Sequence, residues 1–83
     1  MKWPTSQELT ETLLTVLRDM GGSGTASEID KAVVSKLNLS VELLALKRDG
    51  NRGEIQYRLA WVRTKAKQKG LISRESNRVW KLN

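Results

Sequence analysis

Cysteine and histidine are both absent from these 83 residues. Their absence removes disulfides, Cys/His zinc sites, thiol nucleophiles and imidazole general bases together. Long apolar runs are missing as well. No stretch approaches the ~20 apolar residues of a membrane span, and the start "MKWPTSQELTET" lacks the apolar run of a signal peptide. A soluble, cytoplasmic protein is the expectation. No Asp/Glu pair assembles with a catalytic lysine, so no hydrolytic centre is legible, and binding without cofactor or metal is expected. "GGSGT" at residues 21–25 lacks the Lys-Ser/Thr of a P-loop and reads as a helix cap and turn. A chain of this length buries only about 60% of its unfolded surface, which one core exhausts. A single domain over residues 1–83 follows.

Charge is what the chain has in quantity: 15 Lys and Arg against 9 Asp and Glu, net +6, with a pI near 10.1. It is also segregated. Residues 1–46 carry four basic and six acidic side chains, whereas residues 47–83 carry eleven basic and three acidic. A field directed in this way draws polyanions such as nucleic acid or an acidic membrane, between which composition does not choose.

Thr5-Ser6-Gln7-Glu8 has the form of a capping box, and Leu9, Leu13, Val16, Leu17 and Met20 follow at helical spacing until Gly21-Gly22. Thr25-Ala26-Ser27-Glu28 repeats the box, and Ile29, Val33 and Leu37 form a second stripe. Ser40 can cap a short turn, "VELLAL", that tucks Leu43 and Leu44 onto the core, and "KRDGNRG" at 47–53 reads as a loop. From Glu54 to Lys69 no helix breaker occurs, and Ile55, Leu59, Val62 and Ala66 make a third stripe ending at Gly70. "LIS" and "VWKL" are β-favouring runs joined by "RESN", a connection of hairpin length. Three helices and a terminal hairpin predict a mainly α fold with a small β-hairpin, in the order of a winged helix-turn-helix. In that fold the third long helix enters the major groove and the hairpin is the wing.

On a helical wheel, Gln56, Tyr57, Ala60, Arg63, Thr64 and Lys67 are assigned to the side opposite the apolar stripe. Arg63 can be bidentate to guanine, Gln56 can read adenine, and Thr64 and Lys67 can hold phosphates. Taken singly, each cation reads as an ordinary solvated residue. As a group, the outward cations have no Asp or Glu at i±4 within the helix to offset their repulsion, which favours a bound polyanion. Arg52 before the helix, and Arg74, Asn77 and Arg78 of the wing, complete the DNA-binding candidates. Trp61 and Trp80 are expected in the core between helix and wing. Trp3 should close the bottom of that core.

"WPTSQELTETLLTVL", "YRLAWVRTKAKQKGLI" and "RVWKL" together resemble the N-terminal domain of the Mrr family of restriction endonucleases, over nearly the whole chain. The shared features are a Pro-Thr before a Glu-Leu helix, an Arg-x-x-Trp-x-Arg-Thr run ending in Gly-Leu, and a Val-Trp strand. Val62 stands where that family favours Ala and Ala66 where it favours a larger apolar residue, a compensating volume exchange. Arg78 stands where Gly often precedes the Val-Trp strand, making this wing more basic. The resemblance implies a winged helix that binds double-stranded DNA in a prokaryotic, nucleoid-associated setting. In that family it is fused to a nuclease domain and senses methylated or otherwise modified bases. The open alternative is a winged helix serving protein–protein interaction or transcriptional regulation, because fold does not fix function. The sequence does not decide the oligomeric state.

Overall fold

A computed structural model describes residues 3–49, 52–76 and 78–83; the side chains of Arg48, Asp49 and Arg52 lie outside the description. The described residues form α1 (Ser6–Asp19), β1 (Ser23–Thr25), α2 (Ala26–Leu37), α3 (Val41–Ala45), β2 (Lys47–Asp49), β3 (Arg52–Gly53), α4 (Glu54–Gln68), β4 (Ile72–Ser76) and β5 (Val79–Leu82). The chain is mainly helical, with a small antiparallel sheet in the order β1-β5-β4 and a two-stranded β2-β3 ribbon.

Both capping boxes form. The Glu8 N–H donates to Thr5 Oγ1 at 3.1 Å, and the Thr5 N–H donates to Glu8 Oε1 at 3.1 Å. Thr25 and Glu28 repeat the exchange at 3.1 and 3.0 Å. Each box satisfies two N–H groups that a helix start otherwise leaves unpaired. Ser40 Oγ caps α3 by accepting from the Leu43 N–H at 3.2 Å. Gly70 follows the C-cap Lys69 of α4, and its φ of +78° suits a residue without Cβ, as the Leu71 N–H turns back to the Ala66 carbonyl at 3.0 Å.

One apolar cluster joins the elements. Leu9, Leu13, Val16 and Leu17 of α1 face Ile29 and Val33 of α2 and the Ile55, Leu59, Val62 and Ala66 stripe of α4, with Ile72 and Trp80 closing it from the sheet. Leu17, Ile29 and Val33 are fully buried, and burial of each such side chain contributes about 1.5–3 kcal/mol. Trp3 packs against this cluster, as expected, under the Arg58 guanidinium at 4.4 Å from its ring centroid.

Four sequence expectations need correction. Leu43 is buried, but Leu44 is 38% exposed, because a five-residue helix directs only one of the two inward. "KRDGNRG", expected as a loop, pairs at its ends as β2 and β3, Lys47 with Gly53. "GGSGT" contributes β1, which pairs with β5 in the register Ser23–Lys81, Gly24–Trp80 and Thr25–Val79. Trp61, expected in the core, is 53% exposed. The fourth correction bears directly on function.

Candidate nucleic-acid interface

α4 and the β4-β5 hairpin carry the basic half of the chain, so the candidate surface is built on them. α4 is anchored by its stripe and by its first turn. The Gly53 N–H donates to Gln56 Oε1 at 3.2 Å, and Arg58 Nε donates to Glu54 Oε2 at 2.7 Å. Gln56 is exposed, but its carbonyl oxygen already serves the helix start. Tyr57, Thr64 and Lys67 are exposed on the outer side of the helix. The Thr64 hydroxyl donates to the Ala60 carbonyl at 3.1 Å, which leaves its oxygen free as an acceptor.

Arg63 is placed differently from the other outward candidates. Its side chain is 12% exposed and forms an ion pair, through one terminal nitrogen, with Asp30 of α2. Its guanidinium also lies 6.0 Å from the Trp80 ring centroid. The wheel explains this: at about 100° per residue, Arg63 sits only roughly 70° from the centre of the apolar stripe, while Tyr57, Thr64 and Gln68 lie opposite. It therefore flanks the core on the side of α2 and the sheet. Within α4, Glu54 offsets Arg58 at i,i+4, whereas the counter-charge of Arg63 comes from another helix. Burial pushes the Asp30 carboxyl above the ordinary carboxylate value, and the opposing charge and hydrogen bond of Arg63 do not fully offset it. At Glu28 the direction is reversed, because hydrogen bonds from the Thr25 backbone and side chain hold that carboxyl low.

Trp61 lies well off the stripe, beside the start of α1, and stays half in solvent with Lys65 Nζ 5.7 Å from its ring centroid. The same wheel carries the missed signal, since Trp61 and Gln68 fall within the outer arc with Tyr57 and Thr64. The outer face of α4 thus combines two aromatics with lysines, instead of presenting an arginine at its centre.

On the hairpin, β4 and β5 pair in register from Ile72–Leu82 to Arg74–Trp80, with a bulge before Ser76–Val79. Arg74 and Arg78 are exposed, and the Arg74 guanidinium lies 5.3 Å from the Trp80 ring centroid. Asn77, and the side chain of Arg52, lie outside the described residues. Arg78 has φ +70°, and its carbonyl accepts from the Ala26 N–H at 3.2 Å. This bond ties the hairpin turn to the start of α2. The left-handed backbone is the one glycine adopts freely, which accounts for the glycine that the resembled family often has there. Between the hairpin and the start of α2 lies a cleft of about 530 Å³ lined by Thr25, Ala26, Ser27, Arg63, Arg74, Arg78 and Trp80.

A small, mainly helical fold that carries most of its basic residues on one long helix and a hairpin is the class that fold and surface define. The family model of the Mrr N-terminal domain matches residues 7–83, and the chain belongs to that family, the N-terminal domains of restriction-type proteins. No curated protein and no solved structure matches the chain. No helix among the described residues is long and apolar enough to cross a membrane.

Proposed function

We propose that residues 1–83 form a single winged-helix domain that binds double-stranded DNA and senses targets for a restriction-type protein. α4 is set in the major groove and the β4-β5 hairpin is the wing along the backbone. The observation that carries this reading is that the basic half of the chain coincides with α4 and the hairpin, while the acidic half supplies the supporting helices. The order α1-β1-α2 before α4 and a hairpin, with β5 central in the sheet, is compatible with a winged helix and supports the assignment. Cleavage belongs to a fused nuclease domain, and the setting is cytoplasmic. Sensing of methylated or otherwise modified bases is part of the proposal, and the outer face of α4 supplies apolar contacts for a methyl group at Tyr57, Ala60 and Trp61.

The test is a duplex titration across salt concentrations. If several phosphates are neutralised, log K falls against log salt with a slope of about −0.9 per phosphate. Binding indifferent to salt contradicts the proposal. Competition between methylated and unmethylated duplexes of one sequence tests the sensing role, and equal affinities remove it. One observation favours a second reading, a protein-interaction surface: the exposed Trp61 beside Tyr57 is an aromatic pair of the kind that anchors protein partners. That reading predicts a Trp61→Ala defect in partner binding with duplex affinity unchanged.

A further inference from the structure

The cleft between α2 and the hairpin collects more positive charge than its surroundings neutralise. Three arginines line it from three places: Arg63 from α4, Arg74 from β4 and Arg78 from the turn before β5, the first two with their guanidiniums near the Trp80 ring. Asp30 takes one terminal nitrogen of Arg63. Among the described residues no carboxylate forms an ion pair with Arg74 or Arg78. Arg63 Nε is buried and has no acceptor among the described residues, and such an unmade bond to a buried donor is costly. Trp80, 8% exposed, lies within reach of both Arg63 and Arg74, so part of the cleft is apolar and any charge pair formed against it is poorly screened.

The backbone argues in the same direction. Arg78 holds the left-handed conformation that disfavours every residue with a Cβ, and its carbonyl is fixed to Ala26, so the turn cannot relax independently of α2. The helix start contributes little by itself. Its Ala26 N–H serves Arg78, and the Thr25 and Glu28 N–H groups serve the capping box. The arginines are the charged groups that an anion in the cleft would meet, with Ser27 also in its lining.

We infer that this cleft is an oxyanion site that holds one phosphate of the nucleic-acid backbone jointly between Arg74 and Arg78, with Arg63 as the rear donor. The inference rests on the DNA-binding reading, and it adds that these arginines act on one shared phosphate instead of reading bases or tracking separate phosphates. Arg63 then has an orientation set by Asp30.

The experiment measures duplex affinity of the full chain for Arg74→Ala, Arg78→Gly and the double variant, with folding of each checked by thermal melting. Each single change is expected to weaken binding about tenfold, as for loss of a charge-assisted hydrogen bond, and the double variant only slightly more, since both residues serve one phosphate. A duplex series with one neutral methylphosphonate per molecule should contain a position that weakens the unaltered chain and leaves the double variant unaffected. Losses that simply add, or a series with no such position, overturn the inference. If the chain binds no duplex, the DNA reading fails separately, and the cleft is judged with inorganic phosphate and the Nε–Hε signals of arginine by NMR. Joint shifts of Arg63, Arg74 and Arg78 sustain an oxyanion site; unmoved signals overturn it.

Discussion

The guanidinium of Arg63 is shared between the Asp30 carboxylate and the surroundings of Trp80, so its removal has a structural consequence before any functional one. Arg63→Ala strands a largely buried carboxylate and should destabilise the domain by on the order of 3 kcal/mol at neutral pH. Asp30→Asn added to it should recover part of that loss. The pH dependence has a definite sign. Burial already raises the Asp30 pKa against the lowering influence of Arg63, so without Arg63 it rises further. A folded-state pKa above the unfolded one means that stability falls as pH rises between the two. The deficit of Arg63→Ala should therefore be largest at neutral pH and shrink on acidification through the Asp30 pKa, as read by urea melts over a pH series. Trp61 is the opposite case. It is half exposed, so Trp61→Ala should leave stability within about 0.5 kcal/mol while weakening duplex binding, if the outer face of α4 meets DNA.

The secondary elements are set by short local signals and joined by long-range ones. Thr25 closes a capping box at the start of α2, next to the point where the Arg78 carbonyl meets Ala26. Thr25→Ala should cost about 1 kcal/mol, measured as a lowered urea midpoint with an unchanged slope. At the hairpin turn, Arg78→Gly should stabilise the fold by about 1 kcal/mol, because a Cβ in the left-handed region costs about that much. The same change should weaken DNA binding, and a higher melting temperature with lower affinity is the expected joint outcome. The capping boxes and the three apolar stripes were legible in the sequence, since each is contained within a turn or two of helix. β1 was not. Ser23, Gly24 and Thr25 have little intrinsic strand preference, and they become a strand only because β5, more than fifty residues away in sequence, supplies the hydrogen bonds.

For the whole molecule, a single apolar cluster draws on α1, α2, α4 and the sheet, so the domain should unfold as one unit. Circular dichroism and tryptophan fluorescence are expected to report coincident transitions, and Leu17→Ala should lower stability by about 2–5 kcal/mol without splitting them. The sequence by itself determined the helices, their caps, the apolar stripes and the segregation of charge, because these depend on spacing along the chain and on composition. It also carried the family's motifs. Only the tertiary structure decided which polar residues stay available. Helix spacing placed Arg63 on the flank of the stripe and Trp61 on the outer arc of the other side. The surroundings on each side, Asp30 and Trp80 on one and solvent beside α1 on the other, left the arginine largely buried in an ion pair and the tryptophan exposed.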